Sequence, residues 1–288
     1  MNKGTPTYSV RAIPKYKFNP ESLSYDSSIK AEYEHNLLNS LNHPGVLKAY
    51  PLVKEVEGEF IRFGEYKRRF FVFEYVEAET LKSFMNPERR VPLKKKLGII
   101  HDLADVLDYL HTPTQEKTIV YHRDINPENI IIPQNRERHV KLINFKYALI
   151  LEPAFRGLEK VNSKFNELKT AKYIAPERIP QRDKRSWMNK KSEVFTLGLL
   201  SFEILTGFHP FINQFAPIKS FLDYFSSITS DYYELLSKGK ELDHYKRLEE
   251  LLAPEDFPKG LFDMIDASLE YDWKKRPDAK DYLTLVDW

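Results

Sequence analysis

The chain has 288 residues, 42% apolar and 30% charged, with 44 Lys and Arg against 42 Asp and Glu for a formal charge of +2. This globular balance excludes a disordered chain and carries no basic footprint for nucleic acid or an anionic membrane. Cysteine is absent, which excludes a disulfide framework, thiolate zinc ligation and a thiol nucleophile, and favours a reducing, cytoplasmic setting with the nucleus also open. Glycine is scarce. Only ten are present and none falls between Gly98 and Gly157, about half of the roughly 7% of ordinary usage. No apolar run approaches the roughly 18 residues of a membrane span, and the start, MNKGTPTYSVRAIPKYKF, lacks the apolar core of a secretory signal.

In chain order, Tyr8 to Ile13 alternates and is rich in strand formers. Ala31 to Leu41 has helical spacing, with Leu37, Leu38 and Leu41 forming a stripe, and Asn42-His43-Pro44-Gly45 stops it. Phe70 to Val76 is an aromatic, β-branched run that predicts a buried strand. Leu97, Ile100, Leu103, Ala104, Leu107 and Leu110 mark one face of a long amphipathic helix. Asn129 to Ile132 and Val140 to Ile143 predict a hairpin, and Val194 to Leu205 a helix apolar on nearly every side. The order predicts a small strand-rich lobe, a hinge near Glu77 to Glu79, and a larger helical lobe, with a pocket between them.

The chemistry concentrates in Tyr121-His122-Arg123-Asp124-Ile125-Asn126-Pro127-Glu128-Asn129. An Asp five residues before an Asn supplies a carboxylate to receive a hydroxyl proton and an amide oxygen near the same phosphate. Lys141-Leu142-Ile143-Asn144-Phe145-Lys146 follows, then Ala175-Pro176-Glu177, Ser192 to Gly198, and Lys275-Arg276-Pro277. In that order and spacing, over nearly the whole chain, these segments resemble a eukaryotic protein kinase of the Ser/Thr type.

The resemblance implies an α+β, bilobal fold, with lobes at residues 1–76 and 77–288. It implies Asp124 as catalytic base, Asn129 at a metal, Arg11 on the third strand in place of the phosphate-binding Lys, and Glu34 as its helix partner. Phe73 stands at the gatekeeper position, and Glu74 and Val76 would present backbone groups to an adenine ring. Glu177 and Arg276 would form a buried ion pair. His122 would pack with Phe145 and Leu38 rather than shuttle protons. Asp124 is read either as a surviving base or as a carboxylate that orders its own loop.

The departures from the family pattern are specific. Only ten residues precede Arg11, so the expectation is a truncated small lobe without the first strand, the glycine-rich phosphate loop and most of the second strand. Asn126 replaces the loop Lys, Asn144 the metal-binding Asp, Lys146 the following Gly, and Glu193 the Asp of the buried helix. A neutral amide is a poorer Mg²⁺ ligand than a carboxylate, and Arg is not equivalent to Lys at a shaped site. The expectation is a pseudokinase that binds ATP weakly and holds Mg²⁺ poorly, with Lys146 standing in part for the metal. It would act as a scaffold or allosteric partner of another protein. The alternative is an active atypical Ser/Thr kinase using Asp124, Asn129, Asn144 and Arg11 on a protein substrate. The aromatic stretch Phe211 to Lys259 is the expected partner surface. Ser163 and Thr170 are candidate phosphorylation sites with Arg123 as phosphate partner. Lys94 to Lys96 and Arg182 to Lys191 read as solvated basic faces.

Overall fold

The structure, a computed structural model, describes residues 8–13, 24–50, 69–86, 88–114, 117–134, 138–151, 159–161, 173–178, 186–207, 209–210 and 258–285. Its first sheet joins β1 (Tyr8–Ile13), β2 (Ala49–Tyr50) and β3 (Arg69–Glu74) in the order β1-β3-β2, all antiparallel. Arg11 lies opposite Phe71 and Ser9 opposite Phe73, so the strand predicted over 70–76 is the central one of this sheet. It ends at Glu74, two residues early, where Tyr75 turns half into solvent. Helix α1 (Ser24–Ser40) begins a turn or more before the predicted start, because SYDSS has no apolar spacing to announce it. Leu37, Leu38 and Leu41 are buried as their spacing requires.

The larger part follows. β4 (Ala78–Thr80) pairs with β6 (Ile130–Pro133), which pairs with β7 (Lys141–Leu142); Ile130 lies opposite Leu142, the expected hairpin. Helix α2 (Leu81–Phe84) starts at Thr80, whose Oγ1 accepts the Ser83 amide. Helix α3 (Leu93–His111) buries the whole predicted face, with Ile99 and Val106 buried as well. β5 (Ile119–Tyr121) pairs with β8 (Leu149–Leu151), and β9 (Glu159–Val161) with β10 (Ser186–Met188). Helix α4 (Lys190–Thr206) is buried on every side from Ser192 to Phe202 and packs against α3 and α5 (Leu261–Ser268). At its closest approach to α5, a Cβ on Gly198 would lie 2.8 Å from the Ser268 Cβ, so only glycine fits. Helix α6 (Ala279–Tyr282) closes against α3. Residues 211–257, most of the expected partner surface, lie outside the described residues, as do Ser163 and Thr170.

Helix α4 is held at its start by a capping box. Asn189 Oδ1 accepts the Lys191 and Ser192 amides, and Ser192 Oγ accepts the Asn189 amide. The Ser192 hydroxyl also donates to Glu177 Oε1 at 2.6 Å. Arg276, fully buried, grips both Glu177 oxygens at 2.8 and 2.9 Å, and donates further to the carbonyls of Glu270, Tyr271 and Lys191. Its guanidinium lies over the Phe195 ring at 4.8 Å. The expected ion pair is thus present, bidentate and desolvated. Arg276→Ala strands a carboxylate and three carbonyls, and is expected to lower unfolding free energy by about 3–5 kcal/mol in urea titration. A loss within the roughly 1 kcal/mol of a surface pair would show that the pair is not the fastening described.

Candidate functional site

The loop 122–129 is positioned from below by α4. Glu193 enters the first turn of that buried helix. Its Oε1 accepts the Arg123 amide and its Oε2 the His111 Nε2–H, both at 2.7 Å. Burial pushes the carboxyl upward, but the His111 bond and the Arg123 amide outweigh it and hold Glu193 below the ordinary carboxylate range. Glu in place of the expected Asp therefore serves two partners from one position. Arg123 takes a left-handed backbone (φ 69°), fixed by Glu193 on its amide and by Arg178 Nη1 on its carbonyl at 2.9 Å. Burial first, then the nearby Arg123 charge, press the Arg178 guanidinium down to about 10.

His122 is fully buried and crosses to the neighbouring loop. Its Nε2 donates to the Ile143 carbonyl at 2.9 Å, and its Nδ1 accepts the Asp124 amide at 3.2 Å. Those partners require the neutral Nε2–H tautomer, and burial lowers its pKa accordingly. The ring meets Phe145 edge-on at 4.5 Å, in the same core cluster as Leu38. The packing role expected for His122 is the one seen.

Asp124, Asn126, Asn129 and Asn144 are brought together in one chain of hydrogen bonds. Asp124 Oδ1 accepts from Asn126 Nδ2 at 3.0 Å, and Oδ2 from Asn129 Nδ2 at 2.9 Å. The Asp124 carbonyl accepts from the same two amides at 3.0 and 2.7 Å. Asn126 Oδ1 in turn accepts the Glu128 amide at 2.9 Å. An ionised carboxylate only accepts, so both asparagines must turn their NH₂ groups toward it. Asn129 is left with its oxygen facing outward, and that oxygen accepts from Asn144 Nδ2 at 2.9 Å. Asn144 is itself left-handed (φ 69°), a conformation asparagine tolerates better than most residues. Lys146 Nζ lies 4.9 Å over the exposed Tyr147 ring. Lys82 Nζ neutralises Glu128 at 2.6 Å. Among the described residues no cluster of three or more His, Asp or Glu is arranged to hold a metal ion.

Toward the small sheet, Glu34 is buried on α1. Arg11 stands in β1, but its side chain, and hence its expected pairing with Glu34, lies outside the described residues. Next to Glu34, His35 Nε2 donates to the Tyr50 carbonyl at 2.8 Å, and its ring meets Phe73 edge-on. Glu74 closes β3, and Val76 sits two residues beyond, before β4. Sequence reasoning assigned Glu74 only a backbone role. Its side chain Oε1 accepts from Lys141 Nζ at 2.7 Å and from the Lys48 amide at 2.8 Å. Lys141 Nζ also donates to the Val46 carbonyl at 3.3 Å. The missed signal was a lysine inside an otherwise apolar strand, which must find a partner when buried.

Two comparisons of sequence bear on this geometry. The family model for the protein kinase domain matches residues 6–285, and the chain belongs to that family. Its α+β architecture is the protein-kinase fold. It is 27% identical over 271 residues to the serine/threonine-protein kinase cds1 of Schizosaccharomyces pombe, covering 93% of this chain and 50% of that protein. It is 26% identical over 281 residues to the serine/threonine-protein kinase VIK of Arabidopsis thaliana, covering 90% and 58%. The Aurora kinase of Saccharomyces cerevisiae is 30% identical over 194 residues, 66% of this chain and 44% of that one. The chain spans about half the length of these curated relatives. Among the described residues no helix is long and apolar enough to cross a membrane.

The buried histidine gives stability a pH dependence. In the unfolded chain an imidazole takes up a proton below about pH 6.5. Folded His122 resists this chiefly because burial penalises the charged ring, and its Nδ1 also faces the Asp124 amide hydrogen. The unfolded state then binds more protons, so stability is full above about pH 6.5 and falls as pH drops below it, by up to about 1.4 kcal/mol per unit. His43, also lowered by burial, adds to the slope. Urea midpoints measured from neutral to mildly acidic pH are expected to fall for the wild type and to fall less steeply for His122→Leu. Equal slopes would remove His122 from the account.

Proposed function

We propose that this chain is a catalytically impaired member of the protein kinase family, with lobes divided at residues 76 and 77, that acts by binding a protein partner as a scaffold or allosteric element. The observation that carries this reading is the state of the donor set. Both Asp124 oxygens accept amide hydrogens, and the Asn129 oxygen accepts one from Asn144. Mg²⁺ sites rely on one or two carboxylates together with phosphate oxygens. Here one carboxylate remains, and its oxygens and the Asn129 amide oxygen each already accept an amide hydrogen. Losing one preorganised electrostatic contact typically lowers a rate by about 10²–10³, and losses within one unit need not multiply. From roughly 1–100 s⁻¹ for working kinases, one such loss leaves roughly 10⁻³–1 s⁻¹.

ATP is accordingly expected to bind weakly and without a strong need for Mg²⁺. Lys146 brings a positive charge two residues from Asn144, but reaching a phosphate means leaving the Tyr147 ring, a contact worth about 0.5–1 kcal/mol at exposed sites. The second reading is an atypical Ser/Thr kinase that phosphorylates protein, with Asp124 as base, Asn129 and Asn144 at the metal and Arg11 on the phosphates. It is favoured by the half-exposed Asp124 and by the printed names of the relatives.

Incubation with γ-labelled ATP, Mg²⁺ and a general protein substrate separates the two. The wild type is expected to transfer no more label than Asp124→Ala. Label transferred by the wild type and lost in Asp124→Ala would overturn the impaired reading.

A further inference from the structure

Two loops meet at the site, 122–129 and 143–146, and three hydrogen bonds join them. His122 Nε2 donates to the Ile143 carbonyl at 2.9 Å, the Ile143 amide donates to the Asn129 carbonyl at 3.0 Å, and Asn144 Nδ2 donates to Asn129 Oδ1 at 2.9 Å. The third is the only one of these made by two side chains, and its direction is dictated by Asp124 through Asn129. We propose that the Asn129–Asn144 amide pair is a metal-free clasp. It stands where a divalent cation would otherwise join the loops, so the assembled site keeps its shape whether or not Mg²⁺ is present.

The argument is one of complementarity. With Asp124 holding the Asn129 NH₂ group, Asn129 can offer residue 144 only an oxygen. A carboxylate at 144 would set acceptor against acceptor, and would add a second negative charge to a network that already contains Asp124. That arrangement needs a cation between the groups. An amide at 144 supplies the missing hydrogen itself, carries no net charge, and makes the junction with no ion at all. Asn129 is buried, where such a hydrogen bond is strong and its loss is felt. The left-handed backbone of Asn144 is held in place by the same bond.

This inference rests on the reading of the site as one without a working cation. Phosphotransfer by the wild type would defeat that reading, whereas the following comparison addresses the clasp alone. Melting temperatures of the purified full chain are compared in EDTA and in about 10 mM MgCl₂, with NaCl matched for ionic strength. The wild type is expected to melt at the same temperature in both. Asn144→Asp is expected to melt about 2–4 °C lower in EDTA and to regain stability with MgCl₂ but not with NaCl. Asn144→Ala is expected to lose a similar amount and to be indifferent to MgCl₂. The double variant Asn129→Ala/Asn144→Ala is expected to lose less than the two single losses added together. A wild type stabilised by MgCl₂ as Asn144→Asp is, or an Asn144→Asp indifferent to it, overturns the claim that the amide stands in place of the cation. Asn144→Ala melting with the wild type, or strict additivity in the double variant, overturns the clasp itself. Should Asn144→Asp fail to fold in either buffer, the wild-type and alanine comparisons still decide.

Discussion

A single carboxylate in the first turn of the buried helix α4 sets the position of the whole site. Burying Glu193 is costly unless its oxygens are satisfied. Its two bonds, to the Arg123 amide and to His111, therefore act as requirements rather than options. The first pins the loop 122–129 to α4, and the second pins the end of α3 to the same point. His122, one residue before Arg123, then reaches the Ile143 carbonyl, which fixes the segment carrying Asn144. From Glu193 outward, each polar group has its partner specified by the one before it.

That order separates two kinds of residue. Those that fasten the loops, including His122, Arg178, Glu193 and the Glu177–Arg276 pair, have retained buried and complementary partners. Asn144, which faces the loop from the other side, is neutral and bonded to Asn129. Fold stability depends on the first kind, and transition-state stabilisation depends on charges aimed at an empty place. The two demands are physically independent, so a chain under no pressure for phosphotransfer can lose the second and keep the first.

Much of this was legible in the residues alone because it rests on local period and spacing. The α3 stripe, the all-round apolarity of α4 and the hairpin of β6 and β7 follow from which positions must face away from water, and the loop from His122 to Asn129 follows from motif spacing. Partners far apart in sequence were not legible. Lys141 finds Glu74 across 67 residues and His111 finds Glu193 across 82, and no periodicity connects them. Nor did spacing reveal the direction of the amide chain, which emerges only once Asp124 is seen to accept from both asparagines. Helix α1 was read too short for the opposite reason, since its first turns carry no apolar repeat.

The scarcity of glycine takes on a structural meaning in the same place. Among the described residues, left-handed backbone is found at Gly207 and Gly260, where glycine adopts it freely, and at Arg123 and Asn144, where a side chain must be accommodated. Both non-glycine positions fall inside the Gly98 to Gly157 gap and flank the site. Such a conformation costs of order 1–3 kcal/mol and persists only when its surroundings over-determine it. Arg123 is over-determined by Glu193 on its amide and Arg178 on its carbonyl. Asn144 is held by Asn129. A glycine at 144 would relieve the strain but lose the side-chain amide that ties it to Asn129, whereas the bonds holding Arg123 are to its backbone. Strained residues tied down by buried partners hold one arrangement of the site.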